Sequence, residues 1–427
     1  MLCSRRTVLG SIAATLAAGL LPVSSSLRAA EEPKRKRIAV VTTVWKDRSH
    51  AWHMAERFLH GYPKKGAWYR PPIDVVSAYV DQKPSGDLSA GRAKEFGFTI
   101  YPTVAEALRC GGNDLAVDGV LIIGEHGNYE KSQYEQTKYP RYEFFKQVVE
   151  VFRQSGRVLP VFNDKHLSWN WDWAKEMYDT SQEMKIPFAA GSSLPVTWRM
   201  PSVELPIDSE VEELLCLAYG SIDSYDFHAL EVIQCLAERR KGGETGVAAV
   251  QALRGDAVWQ ALAAKDWNAG GWDPRLFEAC LSRTQTLAQP ATFSHRYPTV
   301  AQMKEWVKQP VAYRIEYRDG TKATMLLMNG LVTDFNIAVK LKGKPEPFST
   351  LFYLPPTPNV TYSASLMSKA EETFLTGQAP CPIERTLITT GLVEAGVRSL
   401  GKEQARLETP HLAISYRAPR ESQFLRD

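Results

Sequence analysis

Val161-Phe162-Asn163-Asp164-Lys165-His166-Leu167-Ser168 decides how the chain is read. An apolar run, Arg157-Val158-Leu159-Pro160-Val161-Phe162, ends there in an acid, a lysine and a histidine. The segment that follows, Trp169 to Lys185, has the apolar spacing of a helix. A short apolar run closed by polar residues ahead of a helix reads as a buried strand of an α/β sheet. In an open parallel sheet, ligands bind outside the carboxyl ends of the strands. Asp164, Lys165 and His166 therefore form a candidate site.

Upstream, strand and helix signals alternate. Strands are expected at Arg37–Thr43, Asp74–Val80 (ending in Asp81), Gly97–Ile100, Val117–Ile123 (ending in Gly124-Glu125-His126-Gly127), Val158–Phe162 and Pro187–Ala190. Helices are expected at Ser49–Tyr62 with Ser49 as N-cap, Leu88–Phe96, Val104–Arg109 capped by Thr103, and Tyr142–Gln154. Such alternation predicts a doubly wound parallel, Rossmann-like sheet over residues 37–195. After Gly191 the pattern changes. Ser209–Leu217 and Tyr225–Arg240 read as helical or half-helical, and Val247–Arg254 as a strand. Ala312–Arg318, Thr321–Met328 and Thr333–Leu341 read as antiparallel strands, with Asp319-Gly320 as a hairpin turn. Residues 196–427 are thus expected to form a second α+β domain on a mostly antiparallel sheet, a surface through which two copies could pair.

At 427 residues the chain has room for two domains, and 44% apolar with 23% charged residues is ordinary for a globular protein. Residues 1–30 read as a targeting segment. Ser4-Arg5-Arg6-Thr7-Val8-Leu9 matches the twin-arginine export signal, and the apolar stretch from Val8 to Leu21 is too short for a comfortable membrane span. Cleavage is expected near Ala30, with a periplasmic or other extracytoplasmic location. Loss of that segment removes three of 51 basic residues and none of the 48 acids, so the mature chain is close to neutral. No electrostatic footprint for nucleic acid remains. The cysteines past residue 30, namely Cys110, Cys216, Cys235, Cys280 and Cys381, are scattered and odd in number, which argues against a disulfide scaffold or a zinc ribbon.

Several stretches resemble the Gfo/Idh/MocA family of sugar oxidoreductases. Asp164-Lys165-His166 resembles the family's Glu-Lys-Pro motif, with Asp for Glu and His for Pro. Val76–Asp81 resembles its second strand, and Ala93–Gly97 with Tyr101–Leu108 its next helix–strand–helix. Asp118–Ile123 resembles its fourth strand, and His228 in Ser224-Tyr225-Asp226-Phe227-His228 stands where the family places a catalytic histidine. The likeness runs over about residues 37–240 and weakens at Glu384–Gly391. It implies hydride transfer between NAD or NADP and a sugar or polyol hydroxyl. Lys165, His228 and Asp164 would be catalytic. Asp81 would hold a ribose, with Ser49, Glu125 and His126 on the cofactor side, and His166, Arg199 and Trp198 would meet the substrate. One departure stands out. The family opens its first helix with a glycine-rich G-x-G-x-x-G turn, whereas Thr42 to His50 contains no glycine and places Trp45 where a pyrophosphate would approach. Nicotinamide binding is therefore expected to be weaker than in a glycine-rich protein, or to use another phosphate contact. The family's acid four residues before its histidine is Ser224 here.

Other chemistry is open to the same residues. A lysine at a strand end can donate a proton or stabilise an oxyanion, or it can bridge structurally to Asp164 or Glu125. Asp164 and His166 with Glu125 and His126 offer four metal ligands in a spacing that matches no metal motif, so no metal is expected. His50 and His53 lie at i, i+3 beside Lys46 and Arg48 at a helix N-terminus, where an anion could also bind. A non-catalytic carbohydrate-binding or scaffolding protein on a degenerate Rossmann frame, and a metal-assisted lyase or hydrolase, are the competing functions. The export reading has a direct test: replacing Arg5 and Arg6 by lysine is expected to leave unprocessed precursor in the cytoplasm on cell fractionation. Normal processing of that variant would overturn it.

Overall fold

Ile38 to Val41 are apolar without a break and fully buried, as befits a central parallel strand covered on both faces. They belong to β1 (Lys36–Thr42). The computed structural model describes residues 35–288, 296–355 and 361–426, so the targeting segment lies outside the described residues. From Arg35 onward the chain forms one compact unit. After β1 come α1 (His50–His60), a hairpin of β2 (Tyr62–Lys64) and β3 (Ala67–Tyr69), and β4 (Ile73–Val80). Next are α2 (Ser89–Phe96), β5 (Thr99–Tyr101), α3 (Val104–Arg109), β6 (Gly119–Ile123), α4 (Arg141–Ser155), β7 (Val161–Asp164), α5 (Trp171–Glu183) and β8 (Phe188–Gly191). Six strands form a wholly parallel sheet in the order β5-β4-β1-β6-β7-β8. The winding direction reverses between β1 and β6, which puts the ligand-binding crevice of such a sheet beyond their carboxyl ends.

Two expected caps are present: Ser49 accepts from Trp52 N at the start of α1, and Thr103 accepts from Glu106 N at the start of α3. The strand of the opening motif starts later than its apolar run. Val158 to Pro160 stay outside the ladder, since Pro160 has no N–H to donate, and Asn163 and Asp164 are strand residues buried in the sheet.

The second domain contains β9 (Trp198–Met200), β10 (Val211–Ala218), α6 (Tyr225–Ala237), β11 (Val247–Arg254), α7 (Asp256–Ala264), α8 (Pro274–Arg283), α9 (Val300–Trp306) and β12 (Val311–Tyr317). It continues with β13 (Lys322–Leu327), β14 (Phe335–Leu341), β15 (Phe348–Tyr353), α10 (Thr361–Thr376), α11 (Ile383–Gly401) and β16 (Leu407–Glu408). Its eight strands run in the order β16-β11-β12-β13-β10-β14-β15-β9, antiparallel except for β10 with β13. The segment expected to be helical at Ser209–Leu217 is the inner strand β10. Leu214 to Ala218 are fully buried because helices cover both faces of this sheet, so no alternation marks the strand. On one face α6 and α11 bring Phe227, Leu230, Ile388 and Leu392; on the other α7, α8 and α9 bring Val258, Phe277 and Met303. Both faces of this sheet are therefore covered by the chain's own helices.

Helix α10 lies far along the chain yet packs on the first sheet. Leu366, Met367, Ala370 and Phe374 join Ile38, Val40 and Phe58 in one cluster. Phe374 fits because residue 119 is glycine, where a Cβ would stand 2.6 Å from the ring. No helix among the described residues is long and apolar enough to cross a membrane. Phe374→Ala is expected to cost about 3–5 kcal/mol, read as a lower urea midpoint at unchanged slope. A change under about 1 kcal/mol would show that α10 does not anchor this core.

Candidate active site

Three strand ends supply the polar residues. Thr43 to Ser49 follow β1, Glu125 and His126 follow β6, and Lys165 and His166 follow β7. The register of β1, β6 and β7 sets these ends side by side. Thr43 Oγ1 donates to the Glu125 carbonyl at 2.6 Å, tying the first two together. His126 and Lys165 both adopt left-handed backbone, with φ of 69° and 62°. Side-chain-bearing residues hold that conformation only where the surroundings enforce it, and such positions cluster at functional sites.

Glu125 is the centre of the charge arrangement. Its Oε1 lies 3.3 Å from Lys165 Nζ, and its Oε2 accepts from Arg141 Nη2 at the start of α4. Burial alone would push this carboxyl up, but Lys165 and Arg141 hold it well below the usual carboxylate range. Lys165 Nζ also donates to Ser224 Oγ at 3.0 Å, a contact from the first sheet to the residue before α6. Arg141 Nη1 donates to His166 Nε2 at 3.3 Å. Arginine has no acceptor, so neutral His166 carries its proton on Nδ1, an atom that is buried without a partner. A second pair lies alongside: His50 Nδ1 is 2.5 Å from Asp164 Oδ2, and the His50 backbone N–H donates to His126 Nδ1 at 3.4 Å. On the facing helix, His228 Nδ1 is 2.6 Å from Ser192 Oγ.

Four imidazoles are held neutral. Burial, and then the neighbouring His50, brings His53 and His126 each to about 4. Burial lowers His166 and His228 well below the ordinary histidine value, with Arg141 adding to the first and Lys165 and His50 to the second. His228 therefore shares one electrostatic neighbourhood with Lys165 and His50. Asp223, left-handed at φ 66°, moves the other way: burial and then Asp226 push it up to about 7. Its Oδ2 accepts from Thr137 N at 2.7 Å, while its Oδ1 is buried without a partner.

The expected site residues divide. Lys165, His228, Asp164, Glu125, His126 and His166 gather at the strand ends. Asp81 stands at the rim, where its two oxygens accept from Tyr79 and Tyr129 hydroxyls, each at 2.7 Å. Ser49 is spent on capping α1. Arg199 and Trp198, expected to meet a substrate, lie elsewhere. Arg199 stacks between Phe352 and Phe424, donates to Ser422 Oγ, and pairs with Glu204, because β9 runs along the edge of the second sheet beside β15. Trp45 does not stand over the phosphate turn as expected. It is fully buried, stacks on Phe98 at 5.6 Å and donates to Glu56. Arg141, Ser192 and Asp223 entered without a motif, Arg141 lying one residue before the helix expected at Tyr142–Gln154 and being its first residue here; Ser224 is marked in the sequence only as the place of the family's acid. Among the described residues no three metal-ligating side chains are arranged to hold an ion.

The dinucleotide that such a fold implies does not fit the residues present. Around the β1–α1 turn, Lys46 N donates to Ser49 Oγ, Ser49 N to Lys46 O, His50 N to His126 Nδ1 and Trp52 N to Ser49 Oγ. A pyrophosphate on α1 would have to displace these partners. Asp81, where a ribose would bind, already accepts from two tyrosine hydroxyls.

The chain matches no protein-family model and no curated protein sequence. Solved structures do share its fold. GenD2 from gentamicin A biosynthesis, in complex with NAD, aligns with TM-score 0.53 at 14% identity over 91% of this chain and 99% of its own. Myo-inositol dehydrogenase from Lactobacillus casei, with NAD(H) and myo-inositol, aligns with TM-score 0.52 at 10% identity over 88% and 96%. A probable dehydrogenase from Thermotoga maritima gives TM-score 0.50 at 12% identity over 88% and 99%. At these identities the likeness is one of fold, and it is the two-domain Gfo/Idh/MocA-type fold that the motifs led one to expect.

Asp223 makes stability depend on pH. An unfolded aspartate loses its proton near pH ~3.9, whereas folded Asp223 keeps it to about 7. Between those values the folded state binds the extra proton, so stability falls as pH rises and levels off above 7. Asp223→Asn is expected to match the wild-type Tm below pH 4 and exceed it at pH 8. A wild-type advantage at pH 8 would mean that Thr137 and Arg141 hold the carboxylate ionised.

Proposed function

We propose that the protein binds a sugar- or polyol-like molecule against this strand-end cluster and moves the proton of one of its hydroxyls, in an oxidoreductase-type active site. Lys165 carries the reading. Its ammonium is delivered by left-handed backbone into the seam between the two domains, between Glu125 and Ser224, with His228 nearby on α6. There Lys165 would stabilise charge developing on a hydroxyl oxygen, and His228 would exchange the proton through Ser192. The half-buried His126, Tyr129 and Tyr139 form the rim from which a small ligand would enter. The bound myo-inositol and NAD(H) of a fold neighbour support a polyhydroxyl ligand and a hydride carrier. NAD or NADP would supply that carrier here by resemblance alone, and the filled phosphate turn stands against it, so no step is routed through a nicotinamide. Export by the twin-arginine route, motivated by Arg5-Arg6, would place this chemistry outside the cytoplasm.

A second reading, a carbohydrate-binding protein without turnover, is favoured by the same filled turn and by the two tyrosines on Asp81. Calorimetry with myo-inositol and a panel of hexoses, with turnover assays on the binders, separates the two. Lys165→Met leaves Glu125 paired with Arg141, so the fold is expected to survive while turnover drops at least about 100-fold. Unchanged turnover would remove the catalytic role of Lys165, and binding with no turnover in either form would favour the second reading. NAD and NADP are expected to bind at about 1 mM or more weakly; tight binding on the Thr43–Ser49 turn would overturn the misfit.

A further inference from the structure

We infer that His50, held by Asp164, is a base of this site, placed at the helix start where a dinucleotide-binding sheet holds a phosphate. The inference rests on the reading that the strand-end cluster is where a hydroxyl-bearing ligand reacts. His50 is the first residue of α1 and Asp164 the last of β7, so the pair exists only because the parallel sheet brings the two strand ends together. The Asp164 carboxylate accepts from His50 Nδ1 at 2.5 Å, which leaves the lone pair of a neutral His50 on Nε2. The side chain of Asp164 is 1% exposed and that of His50 9%, so what solvent contact the pair has belongs to the imidazole. Asp164 Oδ1 is buried without a partner, so the side-chain hydrogen bond this carboxylate accepts is the one from His50.

A buried carboxylate on Nδ1 fixes the tautomer and orientation of an imidazole and stabilises the imidazolium that forms when Nε2 takes a proton. His228 has only the Ser192 hydroxyl on its Nδ1, and Lys165 is committed as a donor to Ser224 and an ion-pair partner of Glu125. Of His50 and His228, His50 is the one whose Nδ1 meets a carboxylate, so it is the stronger acceptor, while His228 relays through Ser192. In the step assigned to it, the ligand O–H bond breaks, an Nε2–H bond forms, and the pair becomes alkoxide and imidazolium with no change of oxidation state. Asp164 acts through His50 and is a positioning residue.

Selective 15N-histidine labelling of the full chain tests this, with the His50 signals assigned by His50→Gln. At neutral pH, His50 is expected as the tautomer protonated on Nδ1 with a bare Nε2, and Asp164→Asn should change that signature. The opposite tautomer in the wild type overturns the inference even if Asp164→Asn does not fold. Diethyl pyrocarbonate labelling, mapped by peptide mass spectrometry, reads the same nitrogen. His50 is expected to react faster than the more exposed His60, and Asp164→Asn to slow it about tenfold, while Lys165→Met leaves it unchanged. An unreactive His50, or one indifferent to Asp164→Asn, overturns the pair. Protection of His50 by myo-inositol or a hexose from the panel supports both proposals. Asp164-dependent labelling that no member of the panel blocks supports the base and counts against the sugar-like ligand.

Discussion

One carboxylate between two buried cations organises the seam of this molecule. Glu125 meets Lys165 and Arg141 where almost no water reaches any of them. Each buried ion costs several kcal/mol in lost hydration, and a pair at about 4 Å regains roughly 4 kcal/mol at an effective dielectric near 20. The triad is thus close to neutral in stability, and its contribution is placement. It joins the end of β6, the start of α4 and the end of β7, and Ser224 on Lys165 Nζ extends it to the start of α6 in the other domain. His166 is oriented from the same guanidinium. Losing Glu125 would leave two cations facing each other in the interior, whereas losing Lys165 leaves Glu125 paired with Arg141.

Beside that triad the sheet keeps the geometry of a dinucleotide fold while the turn that would hold the pyrophosphate is differently employed. Glycines in that turn let a backbone approach phosphate closely. Here the corresponding amides are satisfied by Ser49, Lys46 and His126, and the first residue of the helix is a histidine joined to a buried acid. Fold and chemistry are separable in this way because the sheet is stabilised by apolar burial away from the strand ends, which leaves those ends free to carry different side chains.

Residues with no local signature complete the site. Arg141 is fully buried in a helix start that looks solvated in sequence, and Ser192, Ser224 and Asp223 sit in loops of ordinary composition. Their partners are distant in the chain: 16 residues separate Arg141 from Glu125, 36 separate Ser192 from His228, and 59 separate Ser224 from Lys165. Arg199 shows the converse. Its position after the last parallel strand suggested a place in the cleft, but two aromatic rings and an edge strand hold it elsewhere.

The alternation of apolar runs and capped helices was enough, alone, to establish a doubly wound parallel sheet, because burial on both faces and helix capping are local demands written into neighbouring residues. Ser49, Thr103 and the Asp319-Gly320 turn were legible for the same reason. Strand β10 was not, since a strand covered on both faces loses the alternation that separates it from a helix. The motif at Asp164–His166 pointed to the strand ends where the polar cluster gathers, yet which nitrogen faces which carboxylate was decided only by tertiary structure. A hydrogen bond of 2.5 Å between residues 114 apart depends on the packing of the whole sheet, and no spacing in the sequence records it.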